Sequence, residues 1–548
     1  MKKILSYTYT VILVILLSYQ TFAQDNFYVK NGGGGANNGT SWTDAWTSFS
    51  SINWASIGAG DNLFIDGGAD SVVYNMTMNI QASGAWNNYI NILPGKYSPS
   101  PSGHSGKVII DHNYVGSDNG IQILGSTHGI LIKGLIIRRT GSSGIYMYAN
   151  ATTANPYRIK IDSCTIYDVG DNECIEMLGY FSGTPTTTNM GMMDTTHHIH
   201  HVEISRNFMS TPVNRAMGEC NIIYGHLTGN IWVHHNTLLQ RNYQEGQNDH
   251  IDPIQLSYSN YGWKIYNNIM YNDSCVTGHT MILGLMSRGS NYNDTTVVYN
   301  NFLYGGGEHN CNTNWKQLIL WRAPEGDLPA VQYRPLVYSI NNTIVARNEY
   351  TAPSAAEGQY NPLESNNIIA HFGVNGAVPT NNIGFWYTTY STGDYKQVDS
   401  NRTNLVYQAW GGVDFGGNHW RGAGGSPTGT PSSWTDWVNN YGGDGVNDNP
   451  DFANNTRLWD DAPYELQSNS PAIDAGTDMT YVLQAFEYLP MFDASTDILG
   501  TERDANWDIG AFEYTTGEPT PLTGGRVMKG SNGAILRDST GKIIKAKE

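Results

Sequence analysis

Three acidic residues recur at one place in a short repeated segment. Glu173-Cys-Ile-Glu176-Met, Glu219-Cys-Asn-Ile-Ile and Asp252-Pro-Ile-Gln255-Leu align by hand, and His279-Thr-Met-Ile-Leu and Gln317-Leu-Ile-Leu-Trp321 continue the series. In that alignment Glu173, Glu219 and Asp252 stand on neighbouring strands. Parallel neighbours lie about 4.8 Å apart, so three carboxylates at this pitch repel unless one keeps its proton or a cation binds. Two chemistries use such a stack. Glycoside hydrolysis needs two carboxyl groups about 5 Å apart for retention, or about 6.5–9.5 Å apart for inversion. Hard oxygen ligands at the same pitch suit Ca²⁺, here from Asp171, Glu173, Glu219 and Asp252. The plainer alternative is a set of solvated loop carboxylates, because a slip of one residue turns each side chain to the other face.

Other polar groups gather beside these positions. Asp168, Asp171 and Asn172 precede Glu173, while Arg241, Glu245, Asp249 and His250 precede Asp252. Elimination on a uronate needs a base for the proton α to the carboxyl group and a partner that neutralises the carboxylate. The cationic candidates are Arg215, Arg241, Lys264, Arg288 and Arg322. His197-His198-Ile199-His200-His201 lacks the spacing of a helical zinc pair, and on a strand its members alternate between faces, so it reads as an imidazole ladder or turn. The 35 Tyr and 15 Trp supply flat apolar area with a polar edge, which suits stacking on sugars as well as packing.

The elements that position these residues are strands. The pattern apolar, any, apolar, any, any, Asn, any, apolar recurs with Asn207, Asn236, Asn268, Asn301 and Asn342 in its slot. Cys164 and Gly134 take the slot upstream. The steps between the slots at 134, 164, 207, 236, 268, 301 and 342 are 30, 43, 29, 32, 33 and 41 residues. Such a period marks a solenoid, and apolar residues at alternate positions mark strands. One strand per coil cannot bury its apolar face alone, so the coils stack. The expected fold is an all-β, right-handed parallel β-helix, in which Asn stacked on Asn satisfies both ends of each buried amide. Two further coils are expected at Asn366-Asn367-Ile368-Ile369 and Asn404-Leu405-Val406. Uneven steps place the variation in the loops, where function resides.

The chain opens with Lys2 and Lys3 and an apolar run, Val11 to Leu17, too short to span a bilayer; with Thr21-Phe22-Ala23 this reads as a signal peptide. A secreted protein without a membrane span is the expectation. The formal charge is −18; setting aside Lys2 and Lys3 gives −20, and the six basic and two acidic residues of 526–548 leave about −24 for 24–525. That balance argues against nucleic acid as a partner and asks for a bridging cation if the substrate is a polyanion. Five cysteines are an odd number for an oxidising compartment. Cys174 and Cys220 occupy equivalent places in the hand alignment, where they stack or pair. The tail repeats basic, any, Ser, any, Gly, any, apolar, apolar at 529–536 and 537–544, which fits a hairpin, a sorting tag or a surface attachment.

Several segments resemble the secreted bacterial parallel β-helix proteins of the pectate-lyase-like superfamily. At the start these are Tyr28-Val29-Lys30-Asn31-Gly32, the Gly-rich loop, Ala59-Gly60-Asp61 and Ser83-Gly84. Near the end they are Asn449-Pro450-Asp451-Phe452, Ser470-Pro-Ala-Ile-Asp-Ala-Gly476 and Asp508-Ile-Gly-Ala-Phe-Glu-Tyr514, which look like a closing segment. The resemblance covers most of residues 27–514. It implies the fold, and it implies action on polysaccharide with a Lys or Arg base often aided by Ca²⁺. Asp249-His250-Ile251-Asp252 is loosely similar to the acidic-His motif of alginate epimerases, with a different residue order. The fold also hosts hydrolases and non-catalytic binders, so it does not choose a reaction.

The expected organisation is a signal peptide at 1–23, an N-terminal cap at 24–58 with a helix over 42–57, the β-helix at 59–410, C-terminal coils and a closing segment at 411–514, and a linker and basic tail at 515–548. The expected function is cleavage of an extracellular polysaccharide by a monomer, either by hydrolysis or by elimination. The residues expected to carry it are Glu173, Glu219, Asp252, Asp249, His250, Arg241 and Lys264. The opposing expectation is a non-catalytic rod or adhesin attached to the cell surface through its tail.

Overall fold

A computed structural model describes residues 24–149 without a break, then the strands and turns of each later coil and the segments 432–441, 445–453, 465–486 and 489–515. Residues 1–23 and the longer connections, including 181–197, 212–220, 241–251 and 273–281, lie outside the described residues. The expected signal peptide therefore falls outside them. No helix among the described residues is long and apolar enough to cross a membrane.

The chain winds into a parallel β-helix of three long sheets, of 12, 11 and 11 strands. In each coil a strand of the first sheet leads through a two-residue turn to the second sheet, and a loop leads on to the third. One full coil runs His128–Lys133, Ile136–Arg138 and Ile145–Tyr148 before Tyr157–Asp162 returns to the first sheet. Alternate residues, such as Ile130 and Ile132 or Ile145 and Met147, point inward and are fully buried. They form one continuous apolar core along the axis. Right-twisted strands favour a right-handed sense for such crossovers.

The short turn holds the Asn row. Asn207, Asn236, Asn268, Asn301, Asn342, Asn367 and Asn404 stack amide on amide, each Nδ2 donating to the next Oδ1 at 3.0–3.1 Å. Each of the first six also accepts with Oδ1 or donates with Nδ2 to backbone groups of neighbouring coils, as Asn268 Nδ2 does to the Val233 carbonyl at 2.8 Å. The coils expected at 367 and 404 belong to this row. The upstream slot is corrected by one residue: Ile132 pairs with Ile161 and Ile136 with Thr165, so Leu135 sits opposite Cys164. Gly134 precedes the slot, at φ +71°, where later coils place Ser163, Arg206, His235 and Asn267 with φ of 53–56°.

Both ends of the core are plugged. At the N-terminal end, Asn26–Val29 is already the first strand of the first sheet, and Trp46, Phe49 and Trp54 close the core behind it. The helix expected over 42–57 is absent: the segment makes only short 3₁₀ turns at Phe49–Ser51 and Trp54–Ser56. Ser51 Oγ donates to the Ser48 carbonyl at 2.9 Å and Ser56 Oγ to the Asn53 carbonyl at 2.7 Å, local bonds that compete with helix. At the other end, Trp437 of the helix Trp434–Tyr441 enters the core.

The closing segment does more than close the end. Residues 465–515 double back along the outside. Met479, Leu483, Phe486 and Phe492 cover Tyr266, Val297 and Tyr299 on the first sheet. Ile498, Ile509 and Phe512 cover Phe302, Val345 and Ile368 on the second. Arg503 pins this strap, bonding Asn300 Oδ1 at 2.9 Å and Glu513 at 2.9 Å. In the tail, Leu536–Arg537 pairs antiparallel with Ile543–Ile544, as the eight-residue repeat predicts for a hairpin.

Candidate active site

Among the described residues the strap packs on the first and second sheets, and the outer side of the third carries two rows of polar and aromatic groups. Ile145, Ile175, Ile223 and Ile254 pair across successive strands and point inward. The next residue in each strand therefore points out, and Tyr146, Glu176, Tyr224 and Gln255 form one row. Two residues further on, Tyr148, Leu178, His226 and Ser257 form a second.

Glu176 stands between the two tyrosines of its row. Its Oε2 accepts a short hydrogen bond from Ser143 Oγ and a long one from Asn172 Nδ2 at 3.5 Å. Burial nevertheless prevails, and the carboxyl is pushed above the usual range. Tyr146 is pushed up to about 12 by burial, then by the charges of Glu176 and Tyr148. His226 is pushed down to about 4, first by burial and then by His198, so its imidazole is neutral at pH 7. A carboxyl raised by burial, a neutral imidazole and half-buried tyrosine rings thus share one face.

The hand alignment at the corner before this sheet needs correction. Ile175 pairs with Ile223 and Ile223 with Ile254, so the position two residues earlier holds Glu173, Asn221 and Asp252. Glu219 lies two residues out of the row and, like Asp171, outside the described residues. Asn221 instead separates the two carboxylates: its Nδ2 donates to Glu173 Oε1 at 3.3 Å and its Oδ1 accepts from the Asp252 backbone amide at 2.9 Å. Upstream the row continues through Ser143 and Asn119, joined by the Ser143 amide donating to Asn119 Oδ1 at 2.9 Å. The slip arose because Cys174 and Cys220 were matched; Cys174 aligns with Ile222, since the Ile175 amide donates to the Ile222 carbonyl. Cys164 and Cys174 are both buried free thiols.

Lys264 belongs elsewhere. It is on the first sheet between Trp232 and Val297, with its ammonium 4.9 Å from the Phe486 ring of the strap. Arg322 falls on the third sheet, three strands beyond His226 in the second row. Arg215, Arg241, Asp249, His250 and Arg288 lie outside the described residues. Of the expected Ca²⁺ set, Asp171 and Glu219 lie outside the described residues, and the described pair, Glu173 and Asp252, stands on alternate strands with Asn221 between them. His200 of the histidine run stacks on Tyr157, which stacks on His128, as an imidazole ladder would. The strand pattern contained Glu176 but hid its role. Alternation shows that it points outward, whereas its hydrogen bonds come from Ser143 one coil away and from Asn172 at the corner.

No family model matches the chain, and no curated protein matches it. Similar solved structures include XylC in complex with xylose, at 10% identity over 89% of this chain and 98% of that one, with a TM-score of 0.41. Pectate lyase Pel9A is 12% identical over 90% of this chain and 98% of that one, with a TM-score of 0.34. The GH136 lacto-N-biosidase from Eubacterium ramulus is 11% identical over 70% and 68%, with a TM-score of 0.34.

Proposed function

We propose that this chain is a secreted enzyme that cleaves a polysaccharide laid along the outer face of the third sheet. The observation that carries the reading is Glu176, a carboxyl raised by burial that stands between Tyr146 and Tyr224 on the outward row of the third sheet. A carboxyl raised above its ordinary value is moved toward the general-acid role that glycoside hydrolysis requires. Tyr146 and Tyr224 flank it about 4.8 Å to either side, at the pitch of the strands, where sugar rings find flat apolar area. Glu173 and Asp252 stand on alternate strands, about 9.6 Å apart at this pitch. In this reading they hold the corner behind the acid, Glu173 by accepting from Asn221.

Elimination is the second reading, and His226 favours it. A neutral imidazole one strand from Glu176 can take the proton α to a uronate carboxyl. A Ca²⁺ ion, if the reaction uses one, would neutralise that carboxylate.

The test is a screen of the mature protein and Glu176→Gln against acidic and neutral polysaccharides, with and without Ca²⁺. New reducing ends without ultraviolet absorbance mean hydrolysis; both together mean elimination. Turnover in the wild type that Glu176→Gln leaves intact removes Glu176 from the chemistry. Silence of the wild type across the panel turns the reading to a non-catalytic binder.

A further inference from the structure

We infer that the uncovered N-terminal half of the first sheet is a second carbohydrate site, which binds an acidic polysaccharide without cleaving it. It lies on a different sheet from Glu176 and ends where the strap begins. The strap covers Tyr266 and Val297, and its near edge reaches Trp232 and, through Met491, Arg206.

Aromatic rings and cations interleave here. Tyr157 is sandwiched between His128 and His200 on adjacent coils, with ring centroids 4.5 and 5.2 Å away. Trp86 is 68% exposed, the same value as Val115 and above every other large apolar residue described, and the Arg158 guanidinium lies against one face of its ring. Lys160 reaches back over the Tyr89 ring at 5.3 Å, and Lys133 lies 6.0 Å from the Tyr97 ring. Lys133 and Arg206 pair with Asp162 and Lys160 with Glu203, while Lys96 and Arg158 lie against Tyr97 and Trp86, so five cations stand here beside two carboxylates. On a chain of formal charge −18 this strip has the opposite sign to the whole.

The backbone adds an independent sign. Five successive coils share one left-handed register position near the start of the first-sheet strand. Gly129, Asn230 and Gly262 occupy it at φ of 52–65°, residues suited to that region. Arg158 and His201 occupy it on the two coils in the middle of the strip, at φ +55° and +57°. A large side chain there costs on the order of 1–2 kcal/mol, and such strain gathers at functional sites. From this position Arg158 reaches Trp86, to whose carbonyl its Nη1 donates at 2.7 Å.

The strip runs across four strand steps from Trp86 to Trp232, about 19 Å at the parallel spacing, which accommodates several sugar rings. The open face of Trp86 takes a sugar face, the edges of Tyr157 and its stacked partners border it, and Lys133 and Lys160, each about a third exposed, take carboxylate or sulfate groups. A uronate polymer fits both demands. The inference rests on the proposed action on polysaccharide only for the identity of the occupant, and its test reads binding, not turnover.

The experiment is native affinity electrophoresis of the full mature protein through gels containing polygalacturonate, neutral xylan or double-stranded DNA. Every variant is made in the Glu176→Gln background so that the polymer stays intact. The expected result is retardation by polygalacturonate that weakens with added salt and is roughly tenfold weaker in Trp86→Ala and in Lys160→Gln, with xylan and DNA weaker in all cases. Trp86 is exposed, so its removal leaves the fold intact, and an unchanged melting temperature verifies this. No retardation of the parent, or retardation that survives Trp86→Ala combined with Tyr157→Ala, overturns the inference. Equal retardation by xylan removes the acidic class, and equal or stronger retardation by DNA removes carbohydrate. If the binding appears while the wild type cleaves nothing, the second site stands and the catalytic reading falls.

Discussion

Two corners of the solenoid carry rows of buried polar side chains among the described residues, and they are built on opposite plans. The turn between the first and second sheets repeats one residue, Asn, from 207 to 404, each amide bonded to the next. The corner before the third sheet changes residue at each step: Asn119, Ser143, Glu173, Asn221 and Asp252. A uniform row is self-complementary and has no preferred place along the axis, which suits a scaffold. A mixed row gives each coil a different donor and acceptor, and here it supplies Ser143 to the outward-facing Glu176. In the proposed reading, then, it is variation along an otherwise periodic structure that marks the site, more than the presence of acidic residues.

The sharpest way to break this comparison is Glu176→Gln. Loss of a general acid reduces turnover by about 10²–10⁴-fold, with little change in melting temperature. In the wild type the acid form is the active one, so turnover falls as pH rises through the raised value of Glu176. A pH–rate profile checks the sign: a rate that climbs over that limb assigns the group to a base.

Asn268→Ala should do the reverse, costing stability while sparing chemistry. Asn268 Oδ1 accepts from the Asn236 amide and side chain at 3.0 Å, and its Nδ2 donates to Asn301 Oδ1 at 3.0 Å and to the Val233 carbonyl at 2.8 Å. Removal leaves several buried groups unpaired, at about 1–3 kcal/mol each before relaxation, so a net loss of about 3–5 kcal/mol is expected from denaturant titration. Full turnover by the folded fraction would confirm that the uniform row is scaffold only.

The same contrast explains what could be read from the chain. Fixed residues at a fixed offset, Asn207 to Asn342, were legible because the apolar pattern on either side sets their register. The mixed corner was not, because its residues change type and the connections before it vary in length. Two cysteines one loop apart then pulled Glu219 into a slot that belongs to Asn221. Likewise Lys264 looked available from its neighbours in sequence, whereas the strap that covers it lies more than 200 residues away. Its Phe486 ring is joined to Lys264 only by the doubling back of the chain.

Asn221→Asp would build the carboxylate stack that the hand alignment expected. A third acid would then sit between Glu173 and Asp252, replacing a donor to Glu173 with a like charge. The new carboxyl gains a raised value in the folded state, so the folded chain binds the extra proton, and stability is lost as pH rises from the ordinary Asp range through that value. The expected cost at pH 8 is about 2–4 kcal/mol, smaller at pH 5. Recovery of the pH 8 loss on adding Ca²⁺ would show that three carboxylates at this pitch make a cation site; an unchanged loss would show that the corner tolerates only one carboxylate in two.

The smallest expected effect is a gain. Cys164 occupies the first slot of the uniform row, and its backbone amide already donates to Asn207 Oδ1 at 2.8 Å. Its thiol is fully buried and pushed up to about 12, so it stays neutral, and its sulfur lies 3.8 Å from the Ile132 carbonyl. That contact matches the bond from Asn207 Nδ2 to the Ile161 carbonyl at 2.9 Å one coil later. Cys164→Asn would therefore place an amide where both its donors have acceptors waiting, Ile132 and Asn207, and where its oxygen faces the backbone amide of Leu135. Each new bond is worth about 1 kcal/mol net, offset in part by burying a more polar group. A rise of about 0.5–1.5 kcal/mol in unfolding free energy, with turnover unchanged, would mean that the row can be extended by sequence alone. A loss would mean that the Leu135 coil, which carries no amide in its own slot, sets a boundary that the Asn register cannot cross.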